Sequence, residues 1–416
     1  MTFMQALPGF RDFLPDDCAA RNYIFAKWRE VARSYGFIEW DGPILEPTEL
    51  YKKKSGAEIV DQLFNFTDKG EREVAMRPEL TPTLARMIAA HEREFKKPLK
   101  WFSIGRFFRH EKQQRGRLRE HFQLNCDIVG ENALAADIEL LALCIDLLCA
   151  FGFTEKDVVV RISDREFWTD FLRRKSVPSN RWDELLQVID KFGREAPENT
   201  RAKLGELADP VFAILSEGGK SEKLEMLVNG LRGRGLADFV DIDVRIVRGL
   251  AYYTSIVFEV FDHAGKLRAI AGGGRYDNLI QQLSDGAVAM PALGFAMGDV
   301  VLGELINETA RAREKMQQAI AAEHKIDIYI VIAKEERRAS ALAQVQQLRD
   351  RGYRVDYALT PEKVAKQFQT AEQLGTRLAI LFGDEWPQVK VKRLETTEQV
   401  LVPHTELLAH VANLFY

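Results

Sequence analysis

Residues 107–123 read FFRHEKQQRGRLREHFQ, and the fold is decided by how this stretch is read. The window 96–119 around it holds nine basic side chains (Lys96, Lys97, Lys100, Arg106, Arg109, Lys112, Arg115, Arg117 and Arg119) and one acid, Glu111. Arg117 and Arg119 alternate on a strand-to-loop turn, where guanidinium forks suit phosphate oxygens. Trp101, Phe102, Phe107, Phe108 and Phe122 interleave with these charges, a pattern that suits a half-buried sheet holding a nucleotide. Charge alone also reads as a solvated loop; the polyphosphate site is the favoured reading.

The whole-chain average hides this run. Lys plus Arg total 58 against 62 for Asp plus Glu, a net charge of -4, which excludes a basic coat for sequence-blind nucleic-acid binding but leaves room for a local groove. With 416 residues, 46% of them hydrophobic, the chain can build two or three domains with real cores. Cys18, Cys126, Cys144 and Cys149 have no CxxC spacing, and Cys144 and Cys149 in LLALCIDLLCAFGF read as buried free thiols. No metal site is expected, since the histidines also lack ligand spacing. The N-terminus shows no signal peptide, and the apolar run 139–153 is broken by Asp146 and too short for a membrane span, so no membrane partner is expected and the cytoplasm is the expected compartment.

Outward from the basic run, apolar spacing predicts a helix from Ala19 to Tyr35 ending at Gly36, a strand through FIEWDGPIL interrupted by Pro43, and a helix from Thr83 to Phe95. Residues 166–235 read as charged amphipathic helices inserted between strand patterns. Residues 252–261 and 265–271 predict paired strands with a turn at His263-Ala264-Gly265, and Gly272 to Gly274 punctuate the chain. A polar helical connector, 306–325, leads to strand–helix–strand repeats, which argue for a small parallel or mixed α/β domain.

The sequence from Phe107 to Gln123 resembles motif 2 of the class II aminoacyl-tRNA synthetases, in detail the F-R-x-E…G-R-x-R form of the histidyl branch. Five further segments are similar to the same branch: LPGFRDFLPDD to its N-terminal signature, YGFIEWDGPILEPTELY to motif 1, and MRPELTPTLAR to the loop that grips the amino acid's ammonium. RGLAYYTSIVFEV and AGGGRYDNL resemble the histidine-specific pair of segments. The resemblance implies an α+β catalytic domain over 1–325 with a mixed, mostly antiparallel sheet flanked by helices. It implies a helical insertion at 166–235 and a C-terminal α/β anticodon-binding domain at 326–416. It also implies ATP-dependent ligation of L-histidine to tRNA(His) through a histidyl-adenylate, Mg²⁺ on the triphosphate, and a homodimer through motif 1.

By the same resemblance, Arg109 and Arg248 flank the α-phosphate as the catalytic pair. Glu79 and Thr81 meet the α-ammonium, while Gln123, Asp127, Tyr252, Tyr253 and Tyr276 line the histidine pocket. Glu111 and Arg117 contact the adenine and the γ-phosphate, and His121 stands at an adenine face. Taken singly, Tyr252 and Tyr253 also read as strand-core residues and the three glycines as a turn.

Departures from the family pattern are local. Motif 3 usually ends in an arginine that stacks on adenine; in PALGFAMGDVVLGEL that position is Val301, and Val300 replaces a glutamate. His121 replaces a motif 2 phenylalanine, with Phe122 one place later; Ala251, Ser255 and Asp127 replace the usual Asp, Gly and Glu. An active enzyme with a variant adenine site is expected. Two alternatives are a histidine-sensing regulatory subunit of a phosphoribosyltransferase and a catalytically dead tRNA-sensing module. The first tends to lack the C-terminal domain and the full histidine-specific segment, both present here. Val301 supports the second, and the two catalytic arginines count against it. In the last domain, twelve basic and twelve acidic residues balance; Lys390, Lys392 and Arg393 read either as an RNA patch or as a solvated strand edge, and Trp386 as a stacking platform or a packed side chain.

Overall fold

A computed structural model describes residues 4–55, 57–110, 116–193, 195–219, 221–247, 252–396 and 398–415. The chain divides into two units, residues 1–316 and 317–416. Eleven strands belong to the first unit: β1 (Ile38–Glu39), β2 (Leu45–Pro47), β3 (Asn65–Thr67), β4 (Glu73–Met76), β5 (Leu99–Phe108), β6 (Glu120–Val129), β7 (Val158–Asp164), β8 (Val240–Ile242), β9 (Ile256–Asp262), β10 (Ala271–Arg275) and β11 (Ala292–Gly298). Eight form one sheet in the order β1-β5-β6-β11-β10-β9-β7-β8; β2, β4 and β3 form a small second sheet. The large sheet is antiparallel from β5 to β7, and its two edge strands, β1 and β8, pair in parallel.

Alternation along β6 sends Phe122, Leu124 and Cys126 to one face and His121, Gln123, Asn125 and Asp127 to the other. The apolar face is covered by the helices Pro15–Ser34 and Leu134–Phe151. Pro15 opens the first helix, where its missing N–H costs nothing, with Asp16 and Asp17 in the first turn to meet the helix dipole. The second helix is buried almost all round, and Gly152 closes it at φ +98°. Asp146, within this helix, accepts a hydrogen bond from the Tyr35 hydroxyl at 2.5 Å. Cys144 is buried and Cys149 half-buried, and all four thiols are free.

Several elements differ from the sequence-based expectation. FIEWDGPIL is not one strand: it splits into β1 and β2, which belong to different sheets, with Pro43 in the connection. The first helix begins at Pro15, and the predicted Thr83–Phe95 helix runs from Thr81 to Ala90. Strand β9 starts only at Ile256, leaving Tyr252 and Tyr253 ahead of it, and residues 265–270 form the return of the hairpin. Gly272 to Gly274 are strand rather than punctuation, because β10 lies too close to its neighbours for side chains. A Cβ on Gly273 would sit 2.2 Å from the Gly294 carbonyl oxygen, and one on Gly274 would sit 2.6 Å from that of Ile256.

Between β7 and β8 the helices Arg165–Arg174, Trp182–Asp190, Pro197–Leu204 and Ala208–Glu217 share a core of their own around Trp168, Leu172, Leu186, Ile189 and Val211. The second unit holds β12 (Ile328–Ile332), β13 (Val355–Tyr357), β14 (Leu378–Phe382), β15 (Gln388–Arg393) and β16 (Gln399–Pro403) in the order β13-β12-β14-β15-β16. The first three are parallel and the last two antiparallel. Strand β15 is therefore internal, not an edge. Lys390 pairs with Glu385 at 3.0 Å, Arg393 with Glu398 at 3.9 Å, and the Lys392 ammonium lies 5.2 Å from the Phe368 ring. Trp386 packs against the core and against the tilted ring of His404, ring centres 4.5 Å apart.

One ion pair ties the sheet to its covering helix. Arg275, last residue of β10, meets Asp137 at 2.5 Å, and the two are 5% and 4% exposed. Arg275 also donates to the Glu131 carbonyl at 2.9 Å. Breaking a buried pair from one side strands a charge and costs about 3–5 kcal/mol. Arg275→Met should lower the urea midpoint accordingly, and Arg275→Met with Asp137→Leu should recover most of the loss.

Candidate active site

The polar face of β6 opens on a cleft of about 700 Å³. What makes room for it is the register of the next strands. Asp127, Asn125 and Gln123 lie opposite Gly294, Ala296 and Gly298 of β11, and β11 in turn pairs Gly294 and Ala296 with Gly274 and Gly272 of β10. Side chains of β6 thus spread over a floor of glycine and alanine. A Cβ on Gly294 would lie 1.9 Å from Asp127 Oδ1.

At one end of the cleft the Tyr276 hydroxyl donates to Asp127 Oδ1 at 2.5 Å, both residues being buried. Burial pushes the Asp127 carboxyl up to about 7, and the Tyr276 hydrogen bond acts in the opposite direction. Tyr276 is itself pushed well above the usual phenol range by burial and by the adjacent carboxylate. Tyr252 meets Tyr276 edge-on with ring centres 6.2 Å apart, and Tyr253 lies 4.6 Å from Tyr252. Glu79 and Thr81, at the entry to the helix Thr81–Ala90, line the same end. The Glu79 Oε2 atom forms an ion pair with Lys54, a buried cation whose ammonium sits 4.0 Å from the Tyr252 ring centre.

Arg109 leaves β5 toward the middle of the cleft. Its Nε donates to the Pro78 carbonyl at 3.0 Å and its backbone N–H to the Arg119 carbonyl at 2.8 Å. Arg117 and His121 line the wall beside it. Burial, with Arg109, Arg11 and Arg117 close by, holds the His121 imidazole down at about 3, so it is neutral at physiological pH. Phe122 cannot serve the cleft from the neighbouring position. It faces the other side of the sheet, 5.1 Å from Phe25 and under the Arg106 guanidinium at 4.8 Å. Asp299 locks this register: it accepts from the Phe122 backbone N–H at 2.8 Å and from Arg11 at 2.7 Å. Val301, on the helix that Asp299 opens, forms part of the wall.

Glu79, Thr81, Arg109, Arg117, His121, Gln123, Asp127, Tyr252, Tyr253 and Tyr276 are thus gathered around one cavity. Glu111 and Arg248 lie outside the described residues, as do Lys112, Arg115 and Ala251. Sequence reasoning missed Asn125, Glu259, Arg268 and Lys54. Asn125 was within reach, since period-two alternation from Gln123 to Asp127 passes through it. Lys54 and Arg268 carry no such signal, because they reach the site from other elements.

Comparison with known proteins identifies the family. A family model described as Histidyl-tRNA synthetase matches residues 9–299, and one described as Anticodon binding domain matches residues 327–414. The chain is 42% identical over 443 aligned positions to the histidine–tRNA ligase of Opitutus terrae, covering 100% of this chain and 99% of that one. It is 36% identical to the chloroplastic/mitochondrial histidine–tRNA ligase of Arabidopsis thaliana, over 96% of this chain and 85% of the other. A crystal structure of histidyl-tRNA synthetase from Nostoc shares the fold, with a TM-score of 0.76 at 23% identity over 99% and 100% of the two chains. Sheet, cleft and sequence together place this chain in the histidyl-tRNA synthetase family of class II aminoacyl-tRNA synthetases, with an anticodon-binding domain at its C-terminal end.

Proposed function

We propose that the cleft over β6, β11 and β10 joins L-histidine to ATP as histidyl-adenylate, and that the histidyl group then passes to the terminal ribose of tRNA(His). Histidine–tRNA ligation is the activity of the family to which the chain belongs; the proposal assigns its first step to particular residues. The observation that carries the assignment is the Asp127–Tyr276 pair, sunk over Gly294 at one end of a cleft that also holds Arg109 and Arg117. Ionised Asp127 accepts an N–H of the imidazole, and Tyr276 orients it. An amino acid of similar size but without that N–H would leave a buried carboxylate one hydrogen bond short.

Lys54 holds one oxygen of Glu79, and the substrate ammonium takes the other, with the Thr81 hydroxyl beside it. The histidine carboxylate is already a nucleophile, so no protein base is required. Its oxygen attacks the α-phosphorus, the bond to the bridging oxygen breaks, and pyrophosphate leaves with the electron pair. Arg109, its Nε anchored on Pro78, turns its terminal nitrogens to the carboxylate and the α-phosphate, where negative charge gathers. Arg248 is proposed for the far side of the same phosphate, Arg117 for the γ-phosphate, Glu111 for the adenine, and the neutral ring of His121 for a purine face.

Among the described residues no three metal-ligating side chains cluster. Mg²⁺ would arrive with ATP and would neutralise charge on the leaving pyrophosphate. Among the described residues no helix is long and apolar enough to cross a membrane, and the four free thiols suit a reducing compartment such as the cytoplasm. A homodimer through motif 1 is supported by apolar exposure at Ile38, Ile44, Leu45 and Phe66 around β1 and β2.

Pyrophosphate exchange with each of the twenty amino acids should respond to histidine alone; exchange with none of them would refute the assignment. Arg109→Ala should lower kcat by about 10²–10³. Gly294→Ala must displace Asp127 and should raise the KM for histidine about tenfold or more without unfolding the protein by circular dichroism. The Asp127 carboxyl gives two opposite pH trends. Histidine binding needs the anion, so KM for histidine should fall as pH rises through about 7. Stability moves the other way: the folded-state pKa lies above the unfolded value of about 3.9, so the native state holds more protons in that window and loses stability as pH rises through it. Asp127→Asn should flatten both trends, in exchange kinetics and in thermal melts.

A further inference from the structure

We propose that Arg268 is the cation that packs on the purine of ATP, supplied by the β9–β10 hairpin to the end of the cleft where Val301 is uncharged. The inference rests on the reading above that this cleft takes ATP, and it concerns a residue outside every motif of the sequence.

Three observations carry it. First, Arg268 lines the cleft at the same place as Gly116 and Val301. A Cβ built on Gly116 would lie 3.2 Å from Val301 Cγ2 and 3.7 Å from Arg268 Cδ, so the arginine stem and the valine border the same turn of the basic loop. Second, the hairpin that delivers Arg268 is held at both ends. The buried Asp262 carboxylate accepts from the backbone N–H groups of Lys266 and Leu267, each at 2.9 Å, and Gly265 turns the chain at φ +65°. Two residues past Arg268, the Ile270 N–H donates to the Val260 carbonyl at 2.8 Å. The Ile270 carbonyl accepts from the Gly298 N–H at 3.2 Å, three residues before Val301. Arg268 is thus tied by backbone bonds to the strand end that leads into the valine. Third, the chemistry of the wall is matched to a purine. Val301 offers an apolar surface, His121 is a neutral ring, and a guanidinium is flat, permanently charged and able to stack on an aromatic face. The other charged arginines that line the cleft, Arg109 and Arg117, come from the β5 end and the basic loop rather than from this hairpin.

The test is pyrophosphate-exchange kinetics with varied ATP, together with adenosine as a phosphate-free competitor. Arg268→Ala should raise the KM for ATP and the inhibition constant for adenosine by the same factor, about five- to thirtyfold, with the KM for histidine and the melting temperature unchanged. Arg268→Lys, which keeps the charge and loses the plane, should fall between. Adding Val301→Arg to Arg268→Ala should restore ATP binding from the neighbouring position. A KM for ATP within about twofold of the parent would overturn the inference. So would an unchanged adenosine constant, which would put the guanidinium on phosphate, or a parallel rise in the KM for histidine, which would mean a loosened cleft. Failure of the cleft assignment itself looks different: the parent protein, or the Arg109→Ala comparison, would then show no histidine-dependent exchange to lose.

Discussion

A missing side chain governs this site. Asp127 can sit buried beside Tyr276 only because Gly294, its partner in the β6–β11 register, has no Cβ to collide with Oδ1. Small residues recur along β11, with Gly298 opposite Gln123 and Ala296 opposite Asn125. Sheets are normally thick with side chains on both faces, and a cavity over one must be made by leaving them out. Here glycines are concentrated in β10 and β11, and the cleft lies over them.

Around that floor the charges are divided between the two faces of the sheet. Arg275 and Tyr276 are consecutive, yet the guanidinium turns to Asp137 on the covering helix and the phenol turns to Asp127 in the cleft. The first contact is a buried ion pair that holds β10 in place. The second holds a carboxyl whose burial pushes it toward neutrality at one end of the cleft. The structural pair thereby positions the functional one, through a single peptide unit. Asp299 does the same at the other end of β6, where its bond to the Phe122 N–H fixes which face His121 shows.

Much of the architecture was legible residue by residue. The helical insertion, the α/β character of the last unit and the basic turn between two aromatic-rich strands follow from periodicity and charge. The errors fell where local pattern competes with long-range pairing. Gly272 to Gly274 look like a turn because glycine is a poor strand former, but they are strand because neighbouring backbones crowd them. FIEWDGPIL looks like one strand because its β-formers are contiguous; Pro43 and two separate partner strands divide it. Lys390, Lys392 and Arg393 look like an exposed edge because no sequence rule places β16 beside them.

The sequence by itself determined the family, the class of chemistry and a set of side chains that the fold gathers along the cleft, because those residues sit in contiguous motifs and in strands whose alternation is periodic. Only the tertiary structure decided that Glu79 is shared with Lys54, that Phe122 turns away from the cleft while His121 lines it, and that Arg268 reaches the wall beside Val301. Those relations join elements far apart along the chain. They depend on strand register and hairpin geometry, which are set by which backbones pair and not by the spacing of residues within either one.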